Sequence, residues 1–263
     1  MTANIVDIFT RHGHFVERYK TGQYKRFAPF LERVRKDLIL ELSKSQTIRS
    51  QKILRRKLKD LEAMINHHLK EFTDSFSEQL DLFAVSEAGF GMKALGNDFD
   101  APTPSLQRLK IAIHSRPFNN KLLRDALNDF SKQQARMIRD AVSMGFFEGK
   151  TTTQIIRDII GTNSANFKDG LLQVTRNSAS RMVRTAINHV SNVAKDRLYK
   201  ENIDLISHYE WISTLDSRTS DICTSLDGNI YRVGKGRLPP AHPNCRSTTS
   251  PVLFDDPKTK DSL

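Results

Sequence analysis

From about Tyr24 onward, apolar residues recur at three- and four-residue steps, the period of a helix with one buried face. Phe27, Phe30, Leu31, Val34, Leu38 and Leu42 form the first stripe, with Arg33, Arg35 and Lys36 between them. Pro29 lacks an amide hydrogen and fits only a first turn, so the helix is expected to start beside it. A second stripe follows in Ile53, Leu54, Leu58, Leu61, Ile65 and Leu69, opposite Lys52, Arg55, Arg56, Lys57 and Lys59, with Ser45 or Thr47 as its cap. The short polar link between the two stripes predicts an antiparallel helical hairpin. Phe72, Phe76, Leu80 and Phe83 prolong the second period, which Gly89, Gly91 and Gly96 then weaken. Ahead of Tyr24 the pattern is weak and broken by Gly13 and Gly22, which predicts a poorly anchored arm.

A turn-rich stretch, Asn97 to Ser105, is the first candidate boundary, and Ser115-Arg116-Pro117 is the second. Beyond them Leu122, Leu123, Ala126, Phe130, Met137, Ile138, Ala141 and Val142 mark a long amphipathic helix ending near Gly145 or Gly149. Thr151 to Thr153 open a short helix that stops at Gly161, and Gly170 precedes a third run through Val174, Val183, Val190 and Leu198. After residue 201 the character changes. Tyr209 to Pro251 reads as a small irregular cap with two or three short strands, because β-formers and turn residues replace the helical period. The fold class expected is mainly α with an α+β element: an N-terminal helical hairpin or bundle, then a helical domain closed by a β-containing cap. The expected division is a basic helical region over 1–96, a linker over 97–119, a domain over 120–252 with helices to 201 and its cap over 208–252, and a tail over 253–263.

Composition narrows the classes. No run approaches the roughly 20 apolar residues that span a bilayer, the N-terminus has no signal-peptide pattern, and two cysteines cannot build a disulfide scaffold. The balance of 41 basic against 30 acidic residues gives +11 and a pI near 9.7, which favours contact with a polyanion. Arg33, Arg35, Lys36, Arg55, Arg56 and Lys57 are the candidate nucleic-acid contacts, weighed against an ordinary solvated helix face. No aromatic residues interleave them, so any binding is expected to follow the phosphate backbone of duplex DNA without sequence preference.

The cap concentrates the remaining chemistry. Asp216 and Arg218 stand two apart in an Asp-Ser-Arg-Thr turn that ends at Thr219, within reach of a local ion pair or a hydrogen bond to turn amides. Asp227-Gly228 is a hairpin-turn signal. Cys223, His242 and Cys245 offer three soft or borderline ligands suited to Zn²⁺. Trp211, the only tryptophan, is expected to be buried and to anchor the cap on the helices. His242, Asn244 and Cys245 share residue types with metal nucleases, and Cys223 with His242 resembles a thiol–base pair. Both lack supporting partners, so no catalytic residue is assigned.

Taken together, Trp211, Asp216-Ser217-Arg218-Thr219, Cys223, Leu226-Asp227-Gly228, Tyr231 and His242-Pro243-Asn244-Cys245-Arg246 resemble the C-terminal signature of the Mu-type phage head morphogenesis family, with Arg184-Thr185 on the upstream helix. The resemblance covers roughly residues 120 to 252. It implies a minor capsid protein of a tailed bacteriophage, inside the head near the portal and in the host cytoplasm during assembly. Its partners would be portal, major capsid or scaffolding protein and duplex DNA, with neither a membrane nor a small-molecule substrate. The alternatives are a non-specific DNA-binding internal or ejection protein and, less favoured, a nuclease- or toxin-like enzyme. Members often carry further cysteines where this chain has Ser220 and Ser247. The zinc set is therefore one ligand short, with Asp216, Asp221, Asp227 or His208 as candidates to complete it. A metal-free cap and a Cys223–Cys245 disulfide both remain open.

Overall fold

A computed structural model describes residues 4–44, 51–96, 102–118 and 120–254. The chain is mainly helical: α1 (Ile5–Lys25), α2 (Ala28–Ser43), α3 (Gln51–Leu95), α4 (Leu106–Ser115), α5 (Leu123–Phe147), α6 (Thr152–Ile160), α7 (Leu171–Glu201) and the short α8 (Asp221–Leu226). Three strands, β1 (Ile206–Ile212), β2 (Ile230–Arg232) and β3 (Thr248–Leu253), form an antiparallel sheet in the order β2-β1-β3. Tyr209 faces Tyr231 across one pair and Trp211 faces Thr249 across the other.

The helices divide between two compact units built from non-consecutive stretches. One comprises residues 1–22, 77–123 and 181–263, the other residues 23–76 and 124–180. Three of their four borders fall inside α1, α3 and α7, and the fourth falls at the start of α5. Ser105 accepts a hydrogen bond from the Arg108 amide and caps α4, which occupies residues assigned to a linker. Most of the Asn97 to Ser105 stretch, and the caps Ser45 and Thr47, lie outside the described residues.

In the second unit α2 and α3 run antiparallel, as the two apolar stripes require. Phe27 meets Phe72 edge to face at 4.9 Å, Arg33 pairs with Glu71 at 2.7 Å, and Asp37 with His68 at 2.7 Å. Arg139 of α5 reaches Glu62 of α3 at 2.8 Å. Thr151 caps α6 in a reciprocal capping box with Gln154.

The first unit overturns the expected N-terminal arm. Residues 5–25 are helical, with Phe9, Val16 and Lys20 buried. Gly13 and Gly22 do not break the helix, because tertiary contacts of its buried face outweigh a propensity cost of about 1 kcal/mol each. Gly91 in α3 has a packing reason: a methyl group there would press into Leu198 of α7. Over residues 185–196 α7 is buried at every position. Its end packs into the sheet through Leu198, Tyr199, Ile206 and Tyr209.

Trp211 is fully buried, as expected, but its buried neighbours are Cys223 and Cys245 within the cap, with Leu226, Tyr231 and Ala241 around them. The sheet residues Ile206 and Tyr209, not the indole, join the core of α7. We expect Trp211→Ala to destabilise the protein by about 3–5 kcal/mol, measured by denaturant unfolding. A native fluorescence maximum typical of water-exposed indole in the unaltered protein would contradict the packing.

Candidate metal centre

The site is built by one connected run of backbone, from β1 through α8 and back to β3. After β1, Ser213 receives the Trp211 indole N–H at 3.0 Å and donates its own hydroxyl to the Cys223 carbonyl at 2.7 Å. The Asp216 carboxylate accepts the Arg218 amide at 2.8 Å, closing the Asp-Ser-Arg-Thr turn, and the Thr219 hydroxyl donates to the Thr214 carbonyl. Ser220 then caps α8 by accepting the Cys223 amide at 3.3 Å. Asp227-Gly228 does not make the tight hairpin expected of it. Gly228, at φ +76°, ends α8 and donates its amide to the Trp211 carbonyl at 2.9 Å, while Asp227 accepts the Ser213 amide at 2.7 Å. A left-handed glycine serves a helix C-terminus as readily as a hairpin, and the intervening α8 decides between them.

The returning loop is positioned from behind by helices of the same unit. Thr185 of α7 takes the Asn244 amide at 3.0 Å, with Asn244 at φ +61°. The Cys245 carbonyl accepts Asn188 at 2.7 Å and the buried Lys20 ammonium of α1 at 3.4 Å. Arg184 ties α7 to α1 through Glu17 at 3.1 Å and Thr21 at 3.2 Å. Arg246 grips both oxygens of Asp216 at 2.6 and 2.5 Å. Arg218, paired with Asp216 from the sequence, donates its amide at 2.8 Å and its guanidinium more distantly at 3.4 Å. The bidentate Arg246 bond, thirty residues away, carries no local spacing signal.

Cys223, His242 and Cys245 converge. Their sulfur and nitrogen atoms all lie within 4.8 Å of one another, with Sγ to Sγ at 3.6 Å and Cys223 Sγ to His242 Nε2 at 3.1 Å. Both cysteines are free and buried, and burial pushes the Cys245 thiol above its ordinary range. The candidates for a fourth ligand are engaged or placed elsewhere. Asp216 is held by Arg246, Asp227 by the Ser213 amide and His208 beside Ser207, while Asp221 is exposed at the start of α8. Ser220 was not among them, yet its hydroxyl lies 2.8 Å from His242 Nε2. Ser247, the other departure from the family pattern, meets Ser213 instead at 3.2 Å.

Among the proposed nucleic-acid contacts, Arg33 pairs with Glu71, and Arg35 pairs with Glu32 at 3.5 Å and covers the Phe167 ring. Arg55 and Arg56 are exposed with no ion-pair partner among the described residues. Arg33 sits level with Glu71, sixteen residues from Arg55 and so about 24 Å along α3 at helical rise. The α2 and α3 clusters are therefore separate.

Residues 136–250 match the family described as phage Mu protein F like protein. Over these residues the chain is similar to the Mu-type phage head morphogenesis family. The match holds Arg184-Thr185, the Asp216 turn, α8 and the His-Pro-Asn-Cys-Arg loop, the elements that the hydrogen bonds above join into one body. No curated protein and no solved structure is significantly similar to the chain.

The Arg246 and Arg218 contacts hold the Asp216 carboxyl well below the usual carboxylate range. A depressed acid stabilises the fold above its unfolded pKa of about 4 and loses that contribution as pH falls toward its folded value. Asp216→Asn is accordingly expected to be less stable than the unaltered protein at neutral pH. The gap should narrow as pH drops below about 4, read as Tm against pH. A gap that is constant with pH would show that the charge on Asp216 does not matter.

Proposed function

We propose that the protein is a minor capsid component of a tailed bacteriophage, incorporated inside the head close to the portal, where it supports head assembly and the packaging or delivery of DNA. The single observation that carries this reading is the family match over residues 136–250. Its partners are then other head proteins, with portal, major capsid or scaffolding protein as the specific contacts proposed. The role is structural, with no catalytic residue assigned. Mass spectrometry of purified virions tests it, and absence of the protein from mature heads would refute a capsid role.

A DNA contact is supported by how the charge is distributed. Residues 23–76 and 124–180 carry 21 basic against 13 acidic residues, +8 of the chain's +11. On α3, Lys52, Arg55, Arg56 and Lys59 fall at i, i+3, i+4 and i+7, one exposed face with no ion-pair partner among the described residues. Unpaired cations on a rigid helix suit phosphates, each contact releasing about one counterion. Lys52 and Lys59 join this face, whereas Arg33 and Arg35 spend their charge on neighbours.

Binding of the full chain to duplex DNA should fall by orders of magnitude between roughly 50 and 200 mM salt if six or more phosphates are touched. Replacing Lys52, Arg55, Arg56 and Lys59 by alanine should flatten that salt slope by about one unit per lost contact. No gel shift at low salt, or an unchanged slope in the variant, would count against this face.

A further inference from the structure

We propose that Cys223, His242 and Cys245 bind one zinc ion, with the Ser220 hydroxyl at the fourth corner. Two buried thiols and a half-buried imidazole meet here, and two of their three edges are close to those of a zinc tetrahedron. Zinc–sulfur bonds of about 2.3 Å and zinc–nitrogen bonds of about 2.0 Å, set at the tetrahedral angle, place sulfur atoms about 3.8 Å apart and sulfur from nitrogen about 3.5 Å apart. Two observed edges are 3.6 and 3.1 Å and the third, Cys245 to His242, lies within 4.8 Å, so side-chain rotation closes the set around one ion. A disulfide needs sulfurs about 2.05 Å apart, a far larger approach.

The histidine is already set for metal. Its Nδ1 lies 2.8 Å from the Pro243 carbonyl, an acceptor only, so the ring proton sits on Nδ1 and the Nε2 lone pair faces Cys223 and Ser220. That backbone bond is the kind of support that orients metal-ligating histidines. Asn188 and Lys20 on the Cys245 carbonyl, and Thr185 on the Asn244 amide, fix the loop that presents the second thiol. Ser220 stands one turn before Cys223, at the cap of α8, so both side chains point to the same side. Two thiolates balance the charge of the ion, and the Ser220 hydroxyl closes the tetrahedron without adding charge.

The test uses the full chain, purified without chelator, with elemental analysis and Co²⁺ substitution as readouts. The expected result is about one zinc per chain and, with Co²⁺, the thiolate charge-transfer and tetrahedral ligand-field bands of a two-sulfur site. The Cys223→Ser/Cys245→Ser double variant should lose the metal. Ser220→Cys, which adds a third sulfur at the proposed corner, should hold zinc at chelator concentrations that strip the unaltered protein, and Ser220→Ala should lose it sooner. Because Ser220 variants leave the three main ligands in place, they decide the matter even if the cysteine double variant unfolds. Zinc content at background in the unaltered protein, with the thiols either free or joined, would overturn the site. Identical retention by Ser220→Cys, Ser220→Ala and the unaltered chain would overturn the fourth corner.

Discussion

A helix buried on every side has no water to satisfy its polar side chains, and α7 carries several of them through that zone. Thr185, Asn188, His189, Ser191, Asn192, Lys195 and Asp196 are all buried, so the unit must supply partners or lose stability at each. The central requirement is the Lys195–Glu87 pair. Both side chains are almost wholly excluded from solvent, 3.5 Å apart, and the carboxylate also receives His12 at 2.6 Å and Ser191. Burial alone would push the Glu87 carboxyl up, but Lys195, His12 and Ser191 outweigh it and hold it below its ordinary value. Removing one partner of such a pair strands a buried charge, at a cost of about 3–5 kcal/mol. That cost ties α1, α3 and α7 together more strictly than apolar packing would.

The same helix fixes the cap. Lys195 also donates to Thr248 at 2.7 Å, Tyr199 to the Thr249 carbonyl at 3.4 Å, and Asn188 to the Cys245 carbonyl. These bonds explain why signature residues far apart in the chain belong together. Thr185 is a partner of Asn244, Asp216 is a partner of Arg246, and Ser213 spans Trp211, Cys223 and Ser247. The ligand-bearing loop is short and has little core of its own, so its shape rests on side chains bonding to backbone groups rather than on area buried.

What was legible in the sequence follows from this. The stripes of α2 and the first half of α3, the capping of α6 by Thr151 and the change to a β-containing cap all express local rules, and each lies where the pattern placed it. The convergence of Cys223, His242 and Cys245 was also readable, because few residue types combine in that way. Helix α1 was not. Its anchoring depends on Lys20, Glu17 and His12 meeting polar groups of other elements, so the residues that hold it down look like a solvated face. The Asp216–Arg246 bond and the position of Ser220 depend on how α8 turns the chain, which no periodicity records.

The two units use charge in opposite ways. In the unit that contains the cap, basic and acidic residues nearly balance, 20 against 17, and several are buried where they act as structural fasteners. In the other unit the surplus is +8, and Lys52, Arg55, Arg56 and Lys59 on α3 have no ion-pair partner among the described residues. The family region, residues 136–250, itself carries 16 basic against 11 acidic residues, and some of its cations, such as Arg139, Lys195 and Arg246, hold helices and loops together. The exposed cations from Lys52 to Lys59 lie on α3, wholly outside the family match, which begins at residue 136. The cations from Lys52 to Lys59 can vary without touching these fasteners, because Glu87 lies near the opposite end of α3 and neither the Lys195–Glu87 pair nor the Asp216–Arg246 clasp uses a residue of that basic face.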